Sequence, residues 1–299
     1  MMKLSHESKV RLGVGVGAFV LIIGLVFGVS RLLAHSDMVR TTGILSGHLS
    51  DFDDMFDEDD SLNSGNYSAR PQQLSSATFD ADEFRYLDFD INAASVDVKV
   101  VDGNKARVIE RGRVAEGMDA SKAATQNIAS VEDSTLKVSQ FGSDDGKAID
   151  RSVTVELPRR VAEHLKGVNA HVGSGDLQIA GVICDGFDLF LGAGDVEFSG
   201  SVTDALNAEG GSGDVTFERY QAPAKSMDVR VGTGDVEMTV PNSTGFKASV
   251  TLGSGDFESD FLPLGYDGET ILNLEFDNGD KSATYRFEVG SGDMSFDSE

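Results

Sequence analysis

The chain has 299 residues, enough for about two domains at roughly 150 residues each. Its 25 Lys and Arg stand against 50 Asp and Glu; the first 35 residues are net positive by three, so the −25 total leaves −28 on the rest. So acidic a surface repels nucleic-acid phosphates, which excludes nucleic acid as a partner, and a single Cys excludes an internal disulfide.

Residues 12–30, LGVGVGAFVLIIGLVFGVS, are uncharged and close between Arg11 and Arg31. As a helix they span about 28 Å, close to the ~30 Å hydrocarbon core. The apolar stretch is longer than that of a cleaved signal peptide, usually ~7–15 residues, and no Cys follows it for a lipid anchor. The spacing predicts an uncleaved transmembrane signal anchor over 12–33 after a cytoplasmic segment 1–11. Lys3, Lys9 and Arg11 precede the span, against Arg31 and Arg40 after it, which directs the C-terminal region outward. Gly13, Gly17, Gly24 and Gly28 form two GxxxG pairs on one helical stripe, a surface for helix self-association and homo-oligomers.

Residues 34–80 read as an acidic, flexible linker. DFDDMFDEDD at 51–60 holds seven acids, with Phe52, Met55 and Phe56 interleaved. Like charges extend such a tether. It is no EF-hand, because Leu62 stands where a loop starting at Asp57 needs Gly.

A repeat decides the rest. GxGD occurs six times, with Gly173/Gly175/Asp176, Gly192/Gly194/Asp195, Gly211/Gly213/Asp214, Gly232/Gly234/Asp235, Gly253/Gly255/Asp256 and Gly290/Gly292/Asp293. The aspartates are 19, 19, 21, 21 and 37 residues apart. Apolar residues alternate on both sides, as in Val168/Ala170/Val172 before a corner and Val196/Phe198 after one. Period two means strands with one buried face. Each unit is therefore strand, corner, strand. The chain over 81–299 is expected to be all-β: a single-stack β-solenoid of about 20-residue coils with GxGD corners, bearing added antiparallel hairpins. LDFDINAASVDVKV reads as a degenerate first coil, with Asp97 at the Asp position. RVIERGRV, TLKVSQF and RSVTVELP read as the added antiparallel strands, and residues 117–130 as a loop or short helix. ILNLEF-DNGDK-SATYRFEV reads as a hairpin on an Asn-Gly turn, an insertion that explains the long last interval.

Stacked at about 4.8 Å, the six aspartates are candidate calcium ligands, since a cation would relieve their repulsion. The pattern departs from the calcium-binding GGxGxDxUx repeat, lacking a residue before Asp and having a longer period. The simpler reading has each Asp cap corner N–H groups, with no cofactor. Catalytic signals are absent: His6, His35, His48, His164 and His171 are scattered, and Cys184 has no paired His motif.

The run VTVELPRRVAEHLKGVNAHVGSGDLQIAGVICDGFDLFLGAGDVEFSG, with the further GSGD units, resembles the bacterial putative-adhesin family, a domain family of unknown function. It is also similar to the toast-rack domains of membrane-anchored envelope-stress regulators. The resemblance covers about 84–298; Val155, Leu157 and Pro158 match the strand ending in Pro before the repeats, and Ala94-Ser95-Val96-Asp97 departs from the pattern. It implies a β-solenoid and an envelope location, and supplies no catalytic residues; with the 12–33 anchor, the expected place is the bacterial cytoplasmic membrane with the C-terminal domain outside. The expected function is a non-catalytic, membrane-anchored binding or adhesion module for a protein or glycan. The alternatives are an envelope-stress scaffold working through membrane partners and a calcium-stabilised surface repeat protein.

Overall fold

The computed structural model describes residues 67–140, 147–218, 224–262 and 273–298. The expected span with Gly13, Gly17, Gly24 and Gly28, and the DFDDMFDEDD run, lie outside the described residues. Among the described residues no helix is long and apolar enough to cross a membrane. All of them belong to one compact unit, Gly65–Glu299.

In chain order the strands begin with β1 (Gln72–Asp80), β2 (Tyr86–Ala93), β3 (Ser95–Val101), β4 (Lys105–Val114), β5 (Ala129–Glu132), β6 (Thr135–Gln140) and β7 (Ala148–Pro158). The repeats follow as β8 (Leu165–Ser174), β9 (Leu177–Ala193), β10 (Val196–Ser212), β11 (Val215–Glu218), β12 (Ser226–Thr233) and β13 (Val236–Val240). The last are β14 (Phe246–Leu252), β15 (Phe257–Glu258), β16 (Leu274–Asn278), β17 (Ala283–Ser291) and β18 (Met294–Ser298). Among the described residues, helix is confined to a 3-10 turn at Ala120–Lys122 and one turn, α1 (Arg159–Ala162).

The alternation in the sequence becomes two facing walls. Strands before a corner form the first wall, strands after it the second. β9 and β10 serve both: Leu177 of β9 pairs with Val196 of β10 in the second wall, and Cys184 with Leu165 of β8 in the first. Register shifts at Ser199/Gly200 and Val202/Ala205 mark the bend between them. Coil pairs with coil in parallel, so like residues form files. Leu87, Val168, Phe187, Leu206, Met227 and Tyr285 make one inward file and are all buried. Val98, Ile179, Phe198, Phe217, Met238 and Phe296 make its counterpart in the second wall. The walls meet through their aromatic rings: Phe187 lies 5.0 Å from Phe198, and Phe246 5.1 Å from Phe296. Each such ring, fully buried, is worth roughly 1.5–3 kcal/mol. One coil alone has nothing to bury these rings against, so the stack is the folding unit.

The stack does not follow the chain. β17 pairs in parallel with β12 on one side and β14 on the other, and β18 lies between β13 and β15. The last GxGD coil is thus inserted between the two coils that precede it. The mirror event occurs at the other end, where β6 and β7 pair in parallel with β2 and β3 and form a coil outside the first one.

Four sequence expectations change accordingly. TLKVSQF and RSVTVELP are coil strands, although each also takes an antiparallel neighbour, β5 and β4 respectively. The DNGDK segment closes no hairpin, because β16 and β17 both pair with β14, which lies between them. The Asp position of the first coil is Ser95, since Val96 aligns with Leu177; Asp97 aligns with Gln178 on the outer face. Finally, the linker expected over 34–80 gives way to sheet before residue 80. β1 pairs antiparallel with β4 from Gln72 to Asp80, and its Leu74 is buried.

The N-terminal cap carries a polar lock. Glu110 on β4 is fully buried, and its carboxylate accepts from Arg151 Nη1 at 2.7 Å, Thr125 N at 2.8 Å and Ser75 Oγ at 3.0 Å. Arg151 Nη2 donates to the Ala123 carbonyl. A buried pair so completely hydrogen-bonded pins the 115–128 loop to the sheet.

The stack order is directly testable in a Cys184→Ser background. Glu237 and Ser295 are register partners, so Glu237→Cys with Ser295→Cys closes a disulfide under mild oxidation. Glu237→Cys with Glu258→Cys, adjacent only in a sequentially wound stack, stays reduced; the bond is read by mass spectrometry of digests.

Candidate functional site

The corner column is the most regular feature of the molecule. At Gly213 the backbone turns with φ +117°, and an added Cβ would lie 1.9 Å from the Gly194 carbonyl oxygen. Both conditions exclude a side chain. The same contact recurs at Gly175, Gly194, Gly234, Gly292 and Gly255, at 1.9–2.5 Å from a carbonyl of the neighbouring coil. The first glycines, Gly173, Gly192, Gly211, Gly232, Gly290 and Gly253, lie 2.2–2.8 Å from such a carbonyl by the same measure. They need close approach rather than an unusual φ. The columns run 232 to 290 to 253 and 234 to 292 to 255, both repeating the inserted order.

The aspartates form a chain of caps. Asp195 N donates to Asp176 Oδ1 at 3.3 Å, Asp214 N to Asp195 Oδ1 at 3.0 Å and Asp235 N to Asp214 Oδ1 at 2.9 Å. Asp293 N then donates to Asp235 Oδ1, and Asp256 N to Asp293 Oδ1, both at 2.8 Å. Each Asp carbonyl also accepts from the coil before it, as Val196 N does to Asp214 O at 2.9 Å. Carboxylates ~4.8 Å apart repel by about 1 kcal/mol at the dielectric of water. A hydrogen bond to a charged acceptor returns about 1.5–3 kcal/mol, so the cap wins. The arrangement fits amides better than a cation, which needs six to eight converging oxygens. No group of three His, Cys, Asp or Glu poised to hold a metal occurs among the described residues.

The outer faces carry a second pattern, which sequence reading missed. Along the second wall the file runs Thr154, Asp97, Gln178, Glu197, Thr216, Glu237, Ser295, Glu258. Acid and neutral alternate at every step, and Gln178 Nε2 donates to Glu197 Oε2 at 2.9 Å. On the first wall Asp88, Asn169, Asp188, Asn207 and Asp228 alternate likewise. There Asn169 donates to Asp88 at 2.9 Å and Asn207 to Asp188 at 2.7 Å. Like charges on directly opposed positions destabilise a sheet, and alternation removes them. At the bend between coils Lys166 donates to Asp185 at 2.7 Å, which lowers the Asp185 pKa and raises that of Lys166. Tyr86 is the one large apolar side chain exposed among the described residues.

Of the described histidines, His171 stacks edge-on against Phe190 at 4.6 Å, while the His164 amide closes the turn after α1. Cys184 is buried in the core, where loss of solvent, helped by the Asp185 charge, pushes its thiol up to about 12.

Residues 64–297 match the family described as Toastrack DUF4097. The chain belongs to the Toastrack DUF4097 family. Solved structures with a similar course include a putative cell adhesion protein from Clostridium sporogenes, at 14% identity over 77% of this chain and 100% of that one, TM-score 0.42. A putative adhesin from Bacteroides fragilis follows, at 15% identity over 78% and 98%, TM-score 0.36. A putative lipid binding protein from Parabacteroides distasonis matches at 11% identity over 78% and 98%, TM-score 0.30. No curated protein matches the chain. In this toastrack domain the glycines and aspartates named from the sequence come together as one corner column.

Gly213→Ala lowers unfolding free energy by roughly 3 kcal/mol or more in denaturant titration. Gly186→Ala, whose Cβ would meet nothing closer than 3.9 Å, stays within about 0.5 kcal/mol of the parent. Asp214→Ala costs about 1–3 kcal/mol, and Asp214→Asn less, because it keeps the acceptor and removes one charge from the column. Chelator leaves the midpoint unchanged; a shift would show that the carboxylates hold a cation as well.

At pH 8 the Cys184 thiolate fraction is on the order of one in ten thousand, against about a quarter for a free thiol. Maleimide therefore labels Cys184 far more slowly in the native protein than in denaturant.

Proposed function

We propose that this protein is a non-catalytic binding module of the bacterial envelope, a rigid β-solenoid held outside the cytoplasmic membrane by the 12–33 anchor. One observation carries the reading: nearly all the large apolar side chains among the described residues are spent inward, and both outer faces are polar and periodic. A repeating face of alternating acids and neutral groups suits an extended ligand, glycan or protein, contacted at many weak points. The acidic 34–66 stretch supplies reach, and −28 beyond residue 35 keeps the domain off anionic lipid.

A second reading, an envelope-stress scaffold working through membrane partners, is favoured by the stripe of Gly13, Gly17, Gly24 and Gly28. It predicts that Gly17→Ile with Gly24→Ile abolishes both oligomers and signalling, whereas the binding module keeps its ligand.

The deciding experiment is topology. Ser61→Cys in a Cys184→Ser background is labelled in intact cells by a membrane-impermeant maleimide if the domain lies outside. Labelling only after lysis would overturn the surface module. Glu197→Lys with Glu237→Lys leaves the inward files untouched and is expected to reduce cell attachment several-fold.

A further inference from the structure

The inserted coil β17–β18 occupies a slot between two complete neighbours. Tyr285, Phe287 and Val289 pair with Met227, Val229 and Val231 on one side and with Ala248, Val250 and Leu252 on the other. Its corner stacks on Gly234 and under Gly255, and Asp293 both donates to Asp235 and accepts from Asp256. The segment thus makes every contact of an interior coil. Connection to the preceding strand contributes to none of them.

That connection is short and strained. Residues 279–282 lead from β16 to β17 across the start of β14. They turn through Gly279 at φ +57° and Lys281 at φ +59°, a region a lysine rarely enters. The crossing is so close that a Cβ on Gly245 would lie 1.8 Å from Asp280 Oδ1. A short hinge under strain is the condition in which an element leaves its own chain for an identical site in another, since the hinge relaxes and no contact is lost.

The slot also selects its occupant by charge. β14–β15 bears the same corner motif and could close directly on β12–β13. It would then set Glu258 beside Glu237, where Ser295 now lies, and would remove Glu288 from Arg230, 3.6 Å away. The match is to the side chains of 283–298, whichever copy supplies them.

We propose that β17–β18 is an exchangeable coil: a second copy of this chain inserts its 283–298 segment into the slot between 226–240 and 246–258, so that two copies close as a reciprocal pair. β16 stays on its own β14, and 279–282 straightens to bridge the copies.

The test uses two full-length variants, both Cys184→Ser, one Glu237→Cys and the other Ser295→Cys, co-expressed with different tags. Exchange yields a disulfide-linked pair holding both tags. Adding Lys281→Gly to both variants relieves the hinge and lowers the linked fraction several-fold. Absence of a mixed 237–295 bond overturns the proposal. So does an equal yield from Glu237→Cys mixed with Gln178→Cys, positions that are not neighbours in the stack. Association through the membrane-span glycines produces no 237–295 bond, so it is not mistaken for exchange.

Discussion

The constraint on which the molecule depends is the approach of one corner backbone to the next. Parallel coils at ~4.8 Å leave no room for a Cβ where carbonyl meets α-carbon. The six GxGD corners therefore need their glycine pairs, and the peptide planes they expose must find acceptors. The aspartate answers the second requirement with its side chain and helps fix the register of the next coil with its own amide. Once that register is set, the inward files of Phe, Val, Leu and Met align without further instruction.

The corner and the strand alternation were legible because each is local. Six GxGD motifs at near-constant spacing announce coils, and period two on both sides announces which face is buried. Stack order was not legible, because each of the six repeat coils carries the same motif and any of their corners fits any other. A signal existed in the outward residues. Glu237, Glu258 and Ser295 occupy equivalent positions, and only the inserted order keeps the two acids apart. The misplaced Asp97 has a related cause: with Asn92 and Ala94 in place of the glycines, nothing local pins the register of that coil. β1 was hidden by its polar composition, with Leu74 its one fully buried side chain, and the Glu110–Arg151 lock by the distance between its members in sequence.

Charge is managed by position rather than by sum. A chain of −25 that stacks like residues on like would place its acids in columns throughout. It does so at the corner, and again where Asp260 lies beside Asp297, and there the amide of one coil donates to the carboxylate of its neighbour. On the walls the acids are interleaved with Asn, Gln, Thr and Ser, or with Arg230. The bends use Lys166 and Lys225, paired with Asp185 and Asp204. Exposed ion pairs of this kind add little stability individually, ~0–1 kcal/mol each. Their arrangement leaves both faces acidic while the alternating files keep most acids off directly opposed positions.

The doubled-back ends bear on how the domain carries load. In a stack wound in chain order, tension reaches an outermost coil first, and that coil peels along a single ladder, one hydrogen bond after another. Here the coils 86–101 and 283–298 each lie between two others. Force entering through either must break both flanking ladders at once, with the bonds of both sharing the strain. The capping coils, 135–158 and 246–258, take no direct pull from those points. A pull applied at 86–101 or 283–298 therefore meets two ladders, where an end-first winding offers one.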